Sequence, residues 1–357
     1  MAASAREADG EPPTFLTLKK GTIISQLEYP GPGMETAANN SSAKVSVIMP
    51  TYMTAHLIAR ALDSVLGQTF RDFEIVVVND GSPDTQELEK VLAPYLDRIV
   101  YIKQPNKRAA GARNTAIHRA RGEYLAFLDS DDHWLPEHLA SQMQLFDQDP
   151  ALDLVYSNGM VDTPESSREF MDSCPTHGEA TFEALVTERC HVAVSTVVVR
   201  KQALERAGLF DQSLPRCDDY DMWLRAAFWG AKMGYSRKVQ ARFDAVRPNA
   251  LSLSNIKMIE AQWQILEKAI KTLPLSPSQK KLVAQKASEI QGLFLREQGK
   301  AHLDEGRVKE AVEFFSQSNT QFPTPKVKAL LLGLKVAPGA TRKLMDLAKR
   351  MRSRETA

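Results

Sequence analysis

Cysteine is scarce in this sequence. Cys174, Cys190 and Cys217 are the three in 357 residues; none forms a CxxC pair, and the number is odd. That excludes a disulfide framework and argues against a structural zinc site, so a reducing compartment is expected. Long apolar runs are also missing: no stretch reaches the roughly 18 consecutive apolar residues that a spanning helix needs. The first residues include Arg6, Glu7, Asp9 and Glu11 without an apolar core, which does not read as a secretory signal. These absences together lead to the expectation of a cytoplasmic protein. An excess of one charge is lacking too, with 45 basic residues against 44 acidic and a net charge of +1. A balance this even predicts neither nucleic-acid binding nor an acidic partner.

What is present is an ordinary globular balance of 43% hydrophobic and 25% charged residues, enough to bury a sizeable core. Residues 1–43 are rich in Ala, Gly, Pro, Ser, Asn and Glu and read as a disordered or loosely docked arm. The texture changes at Val45. The run VSVIMP (Val45 to Pro50) is a buried-strand pattern, His56 to Gln68 has helical spacing, and FEIVVVND (Phe73 to Asp80) is a strand covered on both faces. Asp84 to Leu96 and Gly111 to Arg121 read as helices; Ile99 to Lys103 and Glu123 to Leu128 read as strands. Strand and helix alternating over short turns require crossover connections and a doubly wound, mostly parallel sheet. Further on, Leu152 to Met160, Val192 to Arg200 and Lys232 to Val246 read as extended, with helices at Lys201 to Ala207 and Asp218 to Trp229. From Ile256 the pattern is almost wholly helical. The expected organisation is an arm over 1–43, an α/β domain over 44–250 and a C-terminal helical cap with a basic tail over 251–357.

In open α/β sheets ligands bind beyond the carboxyl ends of the strands. The first strand ends in Pro50, Thr51 and Tyr52, where a hydroxyl and a ring can meet a base or ribose, although ordinary turn chemistry accounts for them equally. The second ends in Asp80 before Gly81; a carboxylate there can accept from a nucleobase or a ribose hydroxyl, or belong to a plain Asp-Gly turn. The third runs LAFLDSDD into Asp129, Asp131 and Asp132. Like charges so close repel, and a hard divalent cation, Mg²⁺ or Mn²⁺, removes that cost and can hold a diphosphate. On an extended backbone Asp129 and Asp131 would face the same side, and Asp132 can cap a helix starting near Leu135–Pro136.

The ordered set VSVIMPTY (Val45 to Tyr52), VVVNDGS (Val76 to Ser82), GARN (Gly111 to Asn114) and GEYLAFLDSDD (Gly122 to Asp132) resembles the family 2 glycosyltransferases, over about residues 44–250. The resemblance implies a GT-A fold and a metal-dependent, inverting transfer of sugar from a nucleotide sugar, commonly a UDP-sugar, to a glycan or lipid-linked acceptor. It implies that Pro50, Thr51, Tyr52 and Asp80 hold the nucleoside and that Asp129-Ser130-Asp131 is the DxD motif on ribose and metal-bound diphosphate. It also implies that Arg113 steadies the base or the phosphates. Asn79 departs from the family pattern, where a second aspartate is common. In the second half, CDDYDMWLR (Cys217 to Arg225) resembles the motif carrying the catalytic base, which falls on Asp219, with Asp218 in place of the usual glutamate. The same three acids, Asp218, Asp219 and Asp221, also suit the first turn of a helix, and Arg225 suits an i,i+4 pair with Asp221. Weaker candidates are Arg247, near the diphosphate, and Trp134, either stacked on a sugar or packed in the core.

Two other readings compete. A nucleotidyltransferase usually has a glycine-rich basic loop after its first strand, and Pro50 to Ala55 contains neither glycine nor lysine. A catalytically degenerate scaffold acting through its helical tail is opposed by the intact Asp129, Asp131 and Asp219. The tail has its own pattern: residues 326–354 carry nine Lys or Arg and a single acid, Asp346, with leucines interspersed. Peripheral contact with an anionic membrane and a merely solvated helix face both fit that pattern.

Overall fold

The computed structural model describes residues 43–164, 166–173, 176, 179–244, 255–337 and 339–341. The expected N-terminal arm, Arg247 and the tail beyond 341 lie outside these residues.

In chain order the elements are β1 (Val45–Thr51), α1 (Ile58–Leu66), β2 (Phe73–Asp80), α2 (Thr85–Leu92), β3 (Val100–Gln104), α3 (Arg108–Arg119) and β4 (Tyr124–Phe127). Then follow β5 (His133–Trp134), α4 (His138–Gln148), β6 (Leu154–Asp162), β7 (Ser167–Glu169), α5 (Phe170–Ser173), α6 (Phe182–Val186), β8 (Val198–Arg200), α7 (Lys201–Ala207), α8 (Asp218–Phe228) and β9 (Met233–Asp244). The C-terminal region holds α9 (Asn255–Thr272), α10 (Pro277–Asp304), α11 (Val308–Gln321) and α12 (Pro325–Val336).

The strands form one sheet in the order β3-β2-β1-β4-β8-β6-β9-β5, with β7 paired to β6. β1 to β4 are mutually parallel, β8 runs against both β4 and β6, and β9 is parallel to β6. The period of two along each strand sends alternate residues to opposite faces. Ile48, Val76, Val78, Leu125 and Phe127 enter one core, while Val47, Met49, Ile75, Val77 and Ala126 enter the other. That double burial is why β1 and β2 read as continuous apolar runs.

Two close approaches lock the strand ends. Gly122 lies against β1, where a Cβ would sit 2.6 Å from the Ser46 amide nitrogen. Its own N–H donates to Ser46 Oγ at 2.8 Å, and that hydroxyl in turn donates to Glu74 at 2.6 Å. Gly81, at φ +65°, turns the chain after Asp80 with its α-carbon against Asn106, a backbone conformation that glycine adopts without strain.

The helical region is not a detached appendage. Ile259, Ile265 and Leu266 of α9 and Val283, Ala287 and Ile290 of α10 belong to the same core as Phe182 and Trp223. Only the far end, with Leu303, Phe315, Val327 and Leu334, forms a separate small core. None of the helices among the described residues is long and apolar enough to cross a membrane.

Lys268 of α9 reaches Asp221 Oδ1 of α8 at 2.7 Å and Asp211 Oδ2 at 2.6 Å. Burial alone would raise the Asp211 carboxyl, but Lys268 and Ser213 bring it down to about 2. Lys268→Met is expected to cost about 2–3 kcal/mol at pH 7. A depressed carboxylate contributes stability above its unfolded pKa and loses it as pH falls toward the folded value. The gap between the melting temperatures of wild type and variant should therefore narrow below about pH 4; a gap independent of pH would mean that the lysine acts only through packing.

Candidate active site

The carboxyl ends of β1, β2 and β4 lie side by side because these strands are neighbours in register, with Thr51 opposite Asn79 and Ile48 opposite Phe127. Asp80, 3% exposed, accepts from Gln104 Nε2 at 2.7 Å and from the Lys107 backbone N–H at 2.8 Å. Asn79 donates its amide to Thr85 Oγ1 and to the Tyr101 hydroxyl, and accepts from the Ser82 N–H. An ionised aspartate has no proton to donate to those two hydroxyls, so the departure at Asn79 fits its surroundings.

The loop after β1 is tied to both neighbours. Thr51, Thr54 and Ser130 form a chain of hydroxyls at 2.8 and 2.7 Å, and the Met53 N–H donates to Ser82 Oγ at 2.6 Å. Pro50 is half-buried at the end of β1, and Tyr52 beside it is 43% exposed, its ring open to a ligand.

β4 stops at Phe127, and Asp129 to Asp132 form a turn closed by the Asp132 N–H on the Asp129 carbonyl at 3.0 Å. The extended backbone expected there is therefore absent. Asp132 does not cap the next helix either: α4 begins at His138, after the short strand β5, and its N-cap is Glu137. Asp132 instead accepts from Ser195 Oγ at 2.5 Å and from the Asp244 backbone N–H, which draws β9 and the segment before β8 onto the turn. Burial, then the charges of Asp131 and Asp129, hold the Asp132 carboxyl well above its ordinary range. Trp134 is 2% exposed, donates its indole N–H to the Ser195 carbonyl at 2.7 Å and stacks on His138 at 4.3 Å. It is packed as a core residue.

Arg113 joins the two halves of the site. From α3 its guanidinium donates to Asp129 Oδ1 and to Asp218 Oδ2, each at 2.7 Å, with its side chain 5% exposed. Its neighbour Asn114 exchanges two hydrogen bonds with the backbone of Phe210, fixing α3 against the loop before α8. Asp218, Asp219 and Asp221 form the first turn of α8, and Arg225 pairs with Asp221 at 2.7 Å. Arg225 also donates to the carbonyls of Ala207 and Leu209, so it is a structural clamp. Asp219 accepts from the Tyr220 N–H at 2.8 Å. Burial pushes its carboxyl up to about 6, Asp218 adding to the rise and Arg113 opposing it. A carboxylate poised there suits general-base work near neutral pH.

The sequence reading passed over Arg60, Thr54, Gln104, Ser195 and Asp244. Arg60 donates to the Asp131 carbonyl at 2.9 Å and pairs with Asp244 at 3.0 Å, closing the rim of the turn. Its position on the outer side of α1 carries no signal of that contact in the sequence.

The carboxylates of Asp131 and Asp129 are of the hard-oxygen type that suits a divalent cation. The repulsion that lifts Asp132 is the cost that a cation beside Asp131 and Asp129 relieves. Among the described residues no group of three or more His, Cys, Asp or Glu side chains is placed to hold a metal ion. The donor set suits a metal held by one or two carboxylates and completed by phosphate oxygens and water.

Three adjacent parallel strand ends that carry polar and acidic residues, facing an acidic helix start across one arginine, are the arrangement of a GT-A type domain. Residues 46–208 match the profile of Glycosyl transferase family 2. A UDP-Glc:alpha-D-GlcNAc-diphosphoundecaprenol beta-1,3-glucosyltransferase of Escherichia coli is 30% identical over 227 residues, 62% of this chain and 85% of the relative. This chain belongs to glycosyl transferase family 2. An uncharacterized glycosyltransferase of Rickettsia felis is 31% identical over 185 residues, and the match spans 51% of this chain but only 31% of that protein. Among solved structures, S. aureus TarS 1–349 with UDP-GlcNAc superposes with a TM-score of 0.59 at 20% identity, covering 86% of this chain and 92% of TarS. The mannosyltransferase PcManGT of Pyrobaculum calidifontis, with GDP-Man and Mn²⁺, gives 0.56 at 21% identity, covering 88% of this chain and 86% of PcManGT.

Proposed function

We propose that this protein transfers a sugar from a nucleoside diphosphate sugar, of the UDP class, to a hydroxyl of a glycan or lipid-linked acceptor, with metal assistance and inversion. One observation carries the reading: Arg113 couples Asp129, on the donor side, to Asp218, next to the raised carboxylate of Asp219. Binding and proton abstraction are thereby organised at one cleft. The neighbours bound to UDP-GlcNAc and to GDP-Man with Mn²⁺ support the donor class, and the E. coli relative supports a lipid-linked acceptor.

In this reading Asp80 accepts from the base or ribose, Tyr52 covers the base, and Asp129 with Ser130 lies at the ribose and diphosphate. Asp131, with Asp129 beside it, would hold a divalent cation, whose chemistry would be to neutralise charge on the diphosphate. Asp219 takes the proton of the acceptor hydroxyl as that oxygen bonds to the anomeric carbon. The bond from that carbon to the diphosphate oxygen breaks, and nucleoside diphosphate leaves from the opposite face. A single displacement inverts the anomeric centre.

The test is a thermal melt with UDP, GDP and their sugars, with and without Mn²⁺, on wild type and Asp131→Ala. A ligand at a hundredfold excess over its Kd adds about 2.7 kcal/mol, or about 3–4 °C. The expected result is a manganese-dependent rise with UDP in wild type that the variant lacks. No rise with any nucleotide would overturn the donor site, and a retained anomer in the purified product would overturn the single displacement.

A further inference from the structure

α12 closes the small terminal core with Val327 and Leu334, both buried. Among the described residues its opposite side is exposed. Leu332 is 66% exposed and Val336 75% exposed, one turn apart, and Lys328 and Lys335 are exposed beside them. These four residues follow the i, i+4, i+7, i+8 spacing of a single helix face.

The charge of the chain is distributed to match. Residues 326–354 hold nine basic residues and one acid, +8, while the whole chain is +1, so the remainder carries −7. An acidic body thus ends in a basic stretch whose first helix exposes two large aliphatic side chains between lysines.

We propose that this face of α12 docks on an anionic lipid bilayer. Leu332 and Val336 enter the interfacial layer, while the Lys328 and Lys335 stems lie along it with their ammonium groups among lipid phosphates. The acidic body is repelled by the same surface, which orients the molecule with α12 toward the lipid. The charge pattern argues against the alternatives. A second copy would bring +8 against +8 across a symmetric interface. A soluble anion offers nothing apolar to cover Leu332 and Val336. The inference stands apart from the glycosyl-transfer reading, because vesicle partition needs no turnover, so either can fail alone.

The test is co-sedimentation of the full chain with vesicles of phosphatidylcholine, alone or mixed with phosphatidylglycerol. The protein should sediment with the mixed vesicles, remain in solution with the neutral ones, and be released by salt. Leu332→Asp/Val336→Asp should lower the partition coefficient about tenfold or more. Lys328→Glu/Lys335→Glu should lower it by a similar factor. Both pairs are exposed, so melting temperatures should match wild type, which separates lost docking from lost folding. Equal partition of wild type and the aspartate variant, or equal binding to neutral vesicles, would overturn the proposal. So would a dimer in light scattering that the same substitutions dissolve, which would assign the face to a second copy.

Discussion

Asp219→Asn is expected to lower kcat by about 10²–10⁴-fold while leaving the Kd for UDP and Mn²⁺ within a few-fold of wild type. The wild-type profile of kcat/KM should fall on its acidic side with a midpoint near the Asp219 value of about 6, as the base takes up its proton. The same shift makes a stability prediction of opposite sign to that for Asp211. A carboxyl whose folded pKa is raised destabilises the fold where it is ionised, increasingly from its unfolded value up to its folded one, and fully above it. Asp219→Asn should therefore stabilise the ligand-free protein at pH 7.5 by on the order of 1–2 kcal/mol, read as a higher melting temperature, and leave it unchanged at pH 4. Turnover within tenfold of wild type would place the base elsewhere. A melting temperature lowered at pH 7.5 would mean that the Tyr220 N–H contact outweighs the buried charge.

Arg113→Met should have the largest effect on folding. It removes one hydrogen bond from the buried Asp218 carboxylate and one from Asp129, leaving two acids crowded against Asp219. Breaking a buried pair from one side costs about 3–5 kcal/mol, or roughly 4–7 °C in melting temperature for a chain of this length. Nucleotide affinity should fall with it, because Asp129 loses its orientation. Arg113 also holds down the Asp219 carboxyl, so the acidic limb of any residual activity should move to higher pH. Arg113→Lys keeps the charge but lacks the planar fork that serves two carboxylates at once, and should fall between wild type and methionine. Adding Asp218→Asn to Arg113→Met should recover part of the lost stability, since it removes one unpaired charge. Strict additivity in that cycle would show that the two residues do not act as a pair.

The alternation of strand and helix was legible from the sequence because its cause is local. Burial on both faces makes β2 a run of branched residues, and a stripe at helical spacing marks α1. The acids at the ends of β2 and β4 and at the start of α8 were legible for the same reason, as polar residues closing apolar runs. The pairing of Arg225 with Asp221 follows from the pitch of one helix, four residues apart.

What the tertiary structure alone decided is how these local pieces meet. Arg113 and Asp218 are 105 positions apart in the chain, and Lys268 and Asp221 are 47 apart. Neither contact leaves a periodic trace, because each is set by how helices stack on the sheet. The same holds for Asp132 and Trp134: both are tied into the frame by Ser195, a residue of the segment before β8 more than 60 positions away. Sequence by itself determined the class of fold, the family and the identity of the acids. The folded chain decided which acid is tied into the frame and which is lifted toward neutrality, since burial and pairing arise only when distant segments pack together.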